Sequence, residues 1–137
     1  MALTSSTNPR RRGYAVGDTF GYPVAPSEVV YTGGLTGINA AGQAQRIQTA
    51  GTVAFIGIAT TGVNNTGVAA AGDNVIATFD TYALTVPSAT PANINAPVYA
   101  TDDNTLTLTL PTTGFTGKVG YLAGIEGGQT YVKLEGH

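Results

Sequence analysis

The sequence has no cysteine, no tryptophan, one methionine and one histidine among 137 residues. Without cysteine there is no disulfide, so stability must come from packing or assembly, and the chain suits a reducing compartment. The usual Cys/His ligand sets for zinc cannot be assembled. A Ser-His-Asp triad would have to use His137, the single histidine. Charge is scarce too: 10% of residues are charged, against roughly 25% in an average soluble domain. The net charge of −2 gives no general pull toward nucleic acid. Long apolar runs are missing. The longest, residues 53–59, falls far short of the ~20 residues that span a membrane. Residues 1–12 have no apolar stretch of the secretory kind, so no signal peptide and no membrane association are expected.

What the chain does have is 19 glycines, 22 threonines and 7 prolines, with few strong helix formers. Threonine and valine favour strands, and glycine favours the turns between them. The expected fold class is therefore all-β, with eight or nine short strands at the spacing of a sandwich or barrel. A chain this long buries roughly two-thirds of its unfolded surface, enough for one core.

Residues 1–27 differ from the rest. They carry Arg10-Arg11-Arg12, prolines at 9, 23 and 26, and little periodicity. They read as an extended N-terminal arm, with residues 28–137 as a single β domain. Twenty extended residues reach on the order of 65 Å, against a radius of gyration of about 14 Å for the domain. Residues 1–46 carry +2 and residues 47–137 carry −4. A cationic arm on a mildly acidic body suits docking on an acidic protein surface, where arginine pairs with carboxylates in a forked geometry. A solvated tail is the plain alternative. Nucleic-acid binding would want more basic residues and interleaved aromatics.

Beyond residue 28 the β-prone runs are 28–32, 43–49, 52–60, 74–79, 82–86, 98–101, 104–110, 117–123 and 129–135. Residues 52–60 (TVAFIGIAT) are apolar on both faces and predict a central strand. Residues 62–72 predict a loop, in which Asn64-Asn65-Thr66 is a chance sequon match. Residues 87–97, with three prolines, predict irregular chain. Asp80-Thr81, Asp102-Asp103 and Gly127-Gly128 predict tight turns. The alternation from Thr105 to Leu110 predicts one strand with three leucines inward and three threonines outward.

No motif carries chemistry. Gly117-Lys118 lacks the upstream glycine and the following hydroxyl of a P-loop. No Gly-x-Gly-x-x-Gly opens a helix. Asp102 and Asp103 predict a solvated turn, ahead of a catalytic pair or a calcium site with Asn104. The tyrosines at 14, 22, 31, 82, 99, 121 and 131 read mostly as core or rim residues; an aromatic row that binds sugars or a partner is the alternative. The expectation is no enzyme, no catalytic residue, no cofactor and no bound metal.

The order of several short motifs is informative. Gly57-Ile58-Ala59, Ala71-Gly72-Asp73-Asn74-Val75 and Ala96-Pro97-Val98-Tyr99 come first. Asp102-Asp103-Asn104 with Thr105-Leu106-Thr107, Val119-Gly120-Tyr121-Leu122 and Tyr131-Val132-Lys133-Leu134 follow. This order, over residues 52–134, resembles the capsid cement (head-decoration) proteins of tailed double-stranded DNA bacteriophages. The resemblance implies a small β-barrel or jelly-roll-like sandwich with no catalytic residues, which binds the outer surface of the virion. There it bridges neighbouring major capsid proteins and stiffens the shell against packaged DNA. It implies a homo-oligomer, dimer or trimer, made in the host cytoplasm, with no direct contact to nucleic acid. Arg10, Arg11, Arg12, Tyr14, Phe20 and Tyr22 are the arm residues expected to meet the capsid. Removing residues 1–20 is expected to leave a folded domain whose capsid attachment is abolished or sharply weakened. The alternatives are a carbohydrate- or receptor-binding β module of a tail fibre and, last, a nucleotide pyrophosphatase of the dUTPase type, whose Asp-x-x-Tyr-Arg-Gly pattern is not found.

Overall fold

The computed structural model describes residues 19–135. Among them twelve strands run in chain order: β1 (Thr19–Pro23), β2 (Val29–Val30), β3 (Leu35–Asn39), β4 (Ala44–Arg46), β5 (Thr52–Ala59), β6 (Val63–Asn64), β7 (Asn74–Thr78), β8 (Thr81–Ala83), β9 (Pro97–Ala100), β10 (Leu106–Thr107), β11 (Lys118–Glu126) and β12 (Gln129–Leu134). One short 3-10 turn, Pro91–Asn93, interrupts the proline-rich connection between β8 and β9. The fold is all-β as expected. It has more strands than expected because short ones formed in β1, β3 and β6, where no strand was anticipated.

The strands make two five-stranded antiparallel sheets, ordered β1-β7-β5-β3-β4 and β10-β9-β11-β12-β8, and a small β2-β6 ribbon. Neither large sheet closes on itself, so the architecture is a sandwich and not a barrel. The first sheet nonetheless curls. Val24, just after β1, forms a parallel bridge with Ala44 of β4, and the Ala25 N–H donates to the Ala44 carbonyl at 2.9 Å.

The curl creates two cores. Between the large sheets lie Leu35, Phe55 and Ile58 from the first, against Val98, Val119, Leu122, Val132 and Leu134 from the second. On the other face of the first sheet, Val24, Val30, Ala44, Ile56, Ala59, Val75 and Ala77 form a second cluster. Strand β5 sits in the middle of the first sheet and feeds both, which is why its sequence is apolar on both faces. A register shift against β3, from the Thr36–Gly57 pair to the Gly37–Phe55 pair, adjusts its alternation. Gly57 makes the shift feasible. Its φ is 120°, and a Cβ there would lie 2.4 Å from the Thr78 carbonyl oxygen.

The arm boundary moves. Residues 19–27 belong to the domain: β1 pairs along its whole length with β7, from Thr19–Thr78 to Pro23–Asn74, and Val24 and Ala25 are buried. Proline is tolerated at Pro23 because β1 is an edge strand. A cut after residue 20 would therefore remove two residues of β1.

Turn expectations fared unevenly. Gly127-Gly128 joins β11 to β12, with φ of 60° and 79°, the positive pair a two-residue type I′ hairpin demands. Asp102-Asp103 lies between paired strands β9 and β10. Asp80 is different: β7 and β8 lie in different sheets, so Phe79 and Asp80 are the crossover between them. Phe79 packs edge-on against Phe55, ring centroids 5.6 Å apart.

The leucine–threonine alternation does not continue as one strand. Only Leu106–Thr107 is paired; Leu106 is buried, Leu108 half-buried and Leu110 is 58% exposed. The Thr107 hydroxyl accepts the Thr109 N–H at 3.1 Å, a local turn that competes with the ladder, and Pro111 has no N–H to extend it.

Candidate binding surface

The sequence-predicted arm residues divide. Arg10, Arg11, Arg12 and Tyr14 lie outside the described residues, as does His137. Phe20 and Tyr22 are part of β1. Phe20 is paired opposite Ala77, and the half-buried Tyr22, opposite Val75, packs against the second cluster.

Two of the carboxylates, Asp102 and Glu28, hold local structure. Asp102 accepts the Asn104 N–H at 2.8 Å and the Thr105 hydroxyl at 3.0 Å, which builds the β9–β10 turn. Among the described residues no group of three or more His, Cys, Asp or Glu is placed to hold a metal ion. Glu28, not singled out by sequence, is buried beside β4. It accepts from the Val29 N–H (3.1 Å), the Arg46 N–H (3.2 Å), the Arg46 guanidinium (3.1 Å) and the Thr49 hydroxyl. Burial pushes its pKa up, but the hydrogen bonds from Thr49, Val29 and Arg46, with the guanidinium charge, outweigh it and hold the carboxyl below the ordinary range.

Two polar side chains lock loops to the sheets. Gln48 donates to the carbonyls of Ala100 (2.8 Å) and Phe115 (3.0 Å) and accepts the Phe115 N–H at 2.9 Å. It thereby ties the segment after β4 to the second sheet. Asn65, buried inside the sequon match, donates to the Ala25 (2.9 Å) and Ala70 (3.0 Å) carbonyls and fixes the 62–72 loop against the end of β1.

Cavities beside Asp103 offer little free chemistry. One is backed by Leu35, Leu84 and Leu106. The other is lined by Arg46, Gln48 and Thr49, whose polar atoms already serve Glu28 and the Phe115 loop.

The outer face of the second sheet is different. In β11, Val119 and Leu122 are fully buried toward the core, while Lys118 and Tyr121 are half-buried on the opposite face. Residues three apart in a regular strand point to opposite sides. A bulge between Lys118 and Gly120 removes that opposition: Lys118 pairs with Tyr99, and Tyr121 with Pro97. Gly120 is required there, because a Cβ would lie 2.1 Å from the Lys133 carbonyl oxygen. A second shift, between Leu122 and Gly124, brings Gly124 opposite Tyr131. On β12, Lys133 is opposite Tyr121, and the intervening Val132 is buried in the core.

One sheet face thus carries Tyr99, Tyr121, Tyr131, Lys118 and Lys133, including both lysines of the chain. Among the described residues neither lysine forms an ion pair; the single pair is Arg46–Glu28. An open cavity of about 280 Å³ lies on this face, lined by Asn95, Pro97, Lys118 and Tyr121. Asn95 has φ 74°, left-handed for a non-glycine residue, and its N–H donates to the Leu122 carbonyl at 2.8 Å. Sequence reasoning placed these tyrosines at the core or rim. The signal for the outward face was the glycines at 120 and 124 on either side of Tyr121, since an isolated glycine in a strand marks a bulge. Comparison of the chain with protein-family models, with curated proteins and with solved structures found no match in any of the three.

Proposed function

We propose that the protein is a structural component of a tailed-phage particle: a cement that binds the outer capsid surface and bridges neighbouring major capsid proteins. The reading rests on the motif order over residues 52–134 and on the all-β sandwich that the resemblance implies. The observation that carries it furthest is the attachment of the N-terminal segment. The basic triplet Arg10-Arg11-Arg12 precedes a strand, β1, that is paired with β7 over five residue pairs. Pairing of this extent anchors the residues ahead of β1 to the domain, so a pull on them need not loosen it. An extended peptide binds by adding main-chain hydrogen bonds to a neighbour's sheet and seating side chains in alternate pockets. Each copy tied to two capsomers gains from effective concentration, so modest individual contacts suffice.

The test uses shells assembled without the protein. Protein lacking residues 2–18, which leaves β1 whole, is expected to melt like the full chain but to fail to decorate shells. Replacing Arg10, Arg11 and Arg12 with alanine is expected to weaken attachment and flatten its salt dependence. Decoration by the truncated protein at full-chain levels would overturn the arm's role.

A further inference from the structure

We propose that the outer face of the second sheet is a binding site for a carboxylated sugar, a uronic-acid unit of an acidic glycan, seated in the cavity between Asn95, Pro97, Lys118 and Tyr121. This reading does not depend on capsid attachment.

Its construction favours that ligand. A flat tyrosine ring offers an apolar face to the C–H side of a sugar and a hydroxyl to its polar rim. The cavity, about 280 Å³, is at the small end for ligand sites and suits one sugar ring rather than a nucleotide. Its polar groups are of the two kinds such a ring needs. Asn95 supplies an amide that both donates and accepts, and Lys118 supplies a compact charge for the carboxylate. The lysine is uncommitted among the described residues, so recognition costs no existing ion pair. Tyr121, Lys133 and Tyr131 continue the pattern along β11 and β12, so a second residue of the chain would meet the same alternation of ring and cation.

Two observations indicate a face built for this. The bulge at Lys118–Gly120 brings Lys118 and Tyr121 to one side, and bulges are the usual device for re-aiming a side chain beside a functional site. Gly124, opposite Tyr131 on the same sheet, has open space where a side chain would be. A single-stranded nucleic acid would also use rings and cations, but it needs a basic groove along its backbone. This face has two lysines, Lys118 and Lys133, enough to meet single carboxylates but not to track a run of phosphates.

The experiment maps backbone amide shifts of the full-length protein during titration with tetragalacturonate. Cellotetraose serves as the neutral control and oligo(dT) as the nucleic-acid control. The expected result is saturable binding to tetragalacturonate that weakens with salt, with shifts centred on Asn95, Lys118, Tyr121 and Lys133. Lys118→Gln and Tyr121→Ala should each lower affinity roughly tenfold, about the loss of one charge-assisted hydrogen bond or one stacked ring. Both side chains lie outside the core, and unchanged amide spectra of the free variants would show that they fold. Tyr31→Ala, exposed elsewhere, should leave binding unaltered. No saturable binding, equal binding of cellotetraose, tighter binding of oligo(dT), or indifference to Lys118→Gln would each overturn the proposal. None of these outcomes bears on shell decoration, which is assayed separately.

Discussion

Glu28 offers the sharpest test of what holds the curled sheet together. Its carboxylate is buried, and two donors meet each oxygen: Val29 N–H and the Arg46 guanidinium on one, Arg46 N–H and the Thr49 hydroxyl on the other. In Glu28→Gln, an NH2 group must replace one oxygen, so it faces two donors wherever it lies. Hydrogen bonds to a charged acceptor contribute about 1.5–3 kcal/mol each, and the Thr49 rotor can recover part of the loss. The expected cost is about 2–3 kcal/mol. With unfolding entropy near 2.1 cal/mol/K per residue, that lowers the Tm of this chain by about 7–10 °C. Arg46→Ala should behave differently. Its side chain is 44% exposed, so water screens the pair, and Glu28 keeps three other donors. Its cost should stay below about 1 kcal/mol.

The pH dependence follows from the same bonds. The folded pKa of Glu28 is depressed below its ordinary value of 4.5. The stabilisation is therefore complete above that value and is lost as pH falls through the folded pKa. The gap in Tm between wild type and Glu28→Gln should be full at neutral pH and shrink on acidification below 4.5. Calorimetry across that range measures both effects. A larger loss for Arg46→Ala than for Glu28→Gln would refute the reasoning, because it would make the exposed ion pair the source of stability. So would a gap that does not change with pH.

Two further outcomes are expected. Gln48→Ala removes a partner from the Phe115 amide and from two carbonyls, so it should cost about 2 kcal/mol. Amide exchange at Phe115 should accelerate, and unchanged exchange would count against the bridge. Gly127→Asn should stabilise by about 0.5 kcal/mol, because asparagine accepts the positive φ of 60° in the β11–β12 turn while restricting the unfolded chain; a lowered Tm would exclude that turn geometry.

Much of the fold was legible because local chemistry and tertiary structure agree. The two-faced apolar pattern of β5 marked the strand that lies between two cores, and Gly127-Gly128 marked a hairpin. What escaped notice is also instructive. Strand β3 (LTGIN) has a glycine at its centre, which reads as a break. Gly37 is there because β5 passes so close that a Cβ would meet the Thr52 methyl at 2.4 Å. Strand β1 (TFGYP) carries glycine and proline and owes its pairing to the edge of the sheet, a tertiary fact. The Thr105–Leu110 alternation promised more strand than formed, because the side chain of Thr107 and the ring of Pro111 ended it. The tyrosine–lysine face was hidden for a related reason: strict alternation places Lys118 and Tyr121 on opposite sides, and only a bulge reunites them.

The seating of β1 also has a mechanical meaning. Tension applied to the chain ahead of Thr19, along the strand axis, is shared by all five residue pairs with β7 before any one yields. The same tension applied across the sheet peels the pairs one at a time from Thr19. Behind the ladder, buried Val24 and its bridge to Ala44 act as a stop that passes load into the opposite edge of the sheet. Resistance to pulling in this fold is therefore directional, and its lifetime under load is set by the rate of unfolding rather than by equilibrium stability.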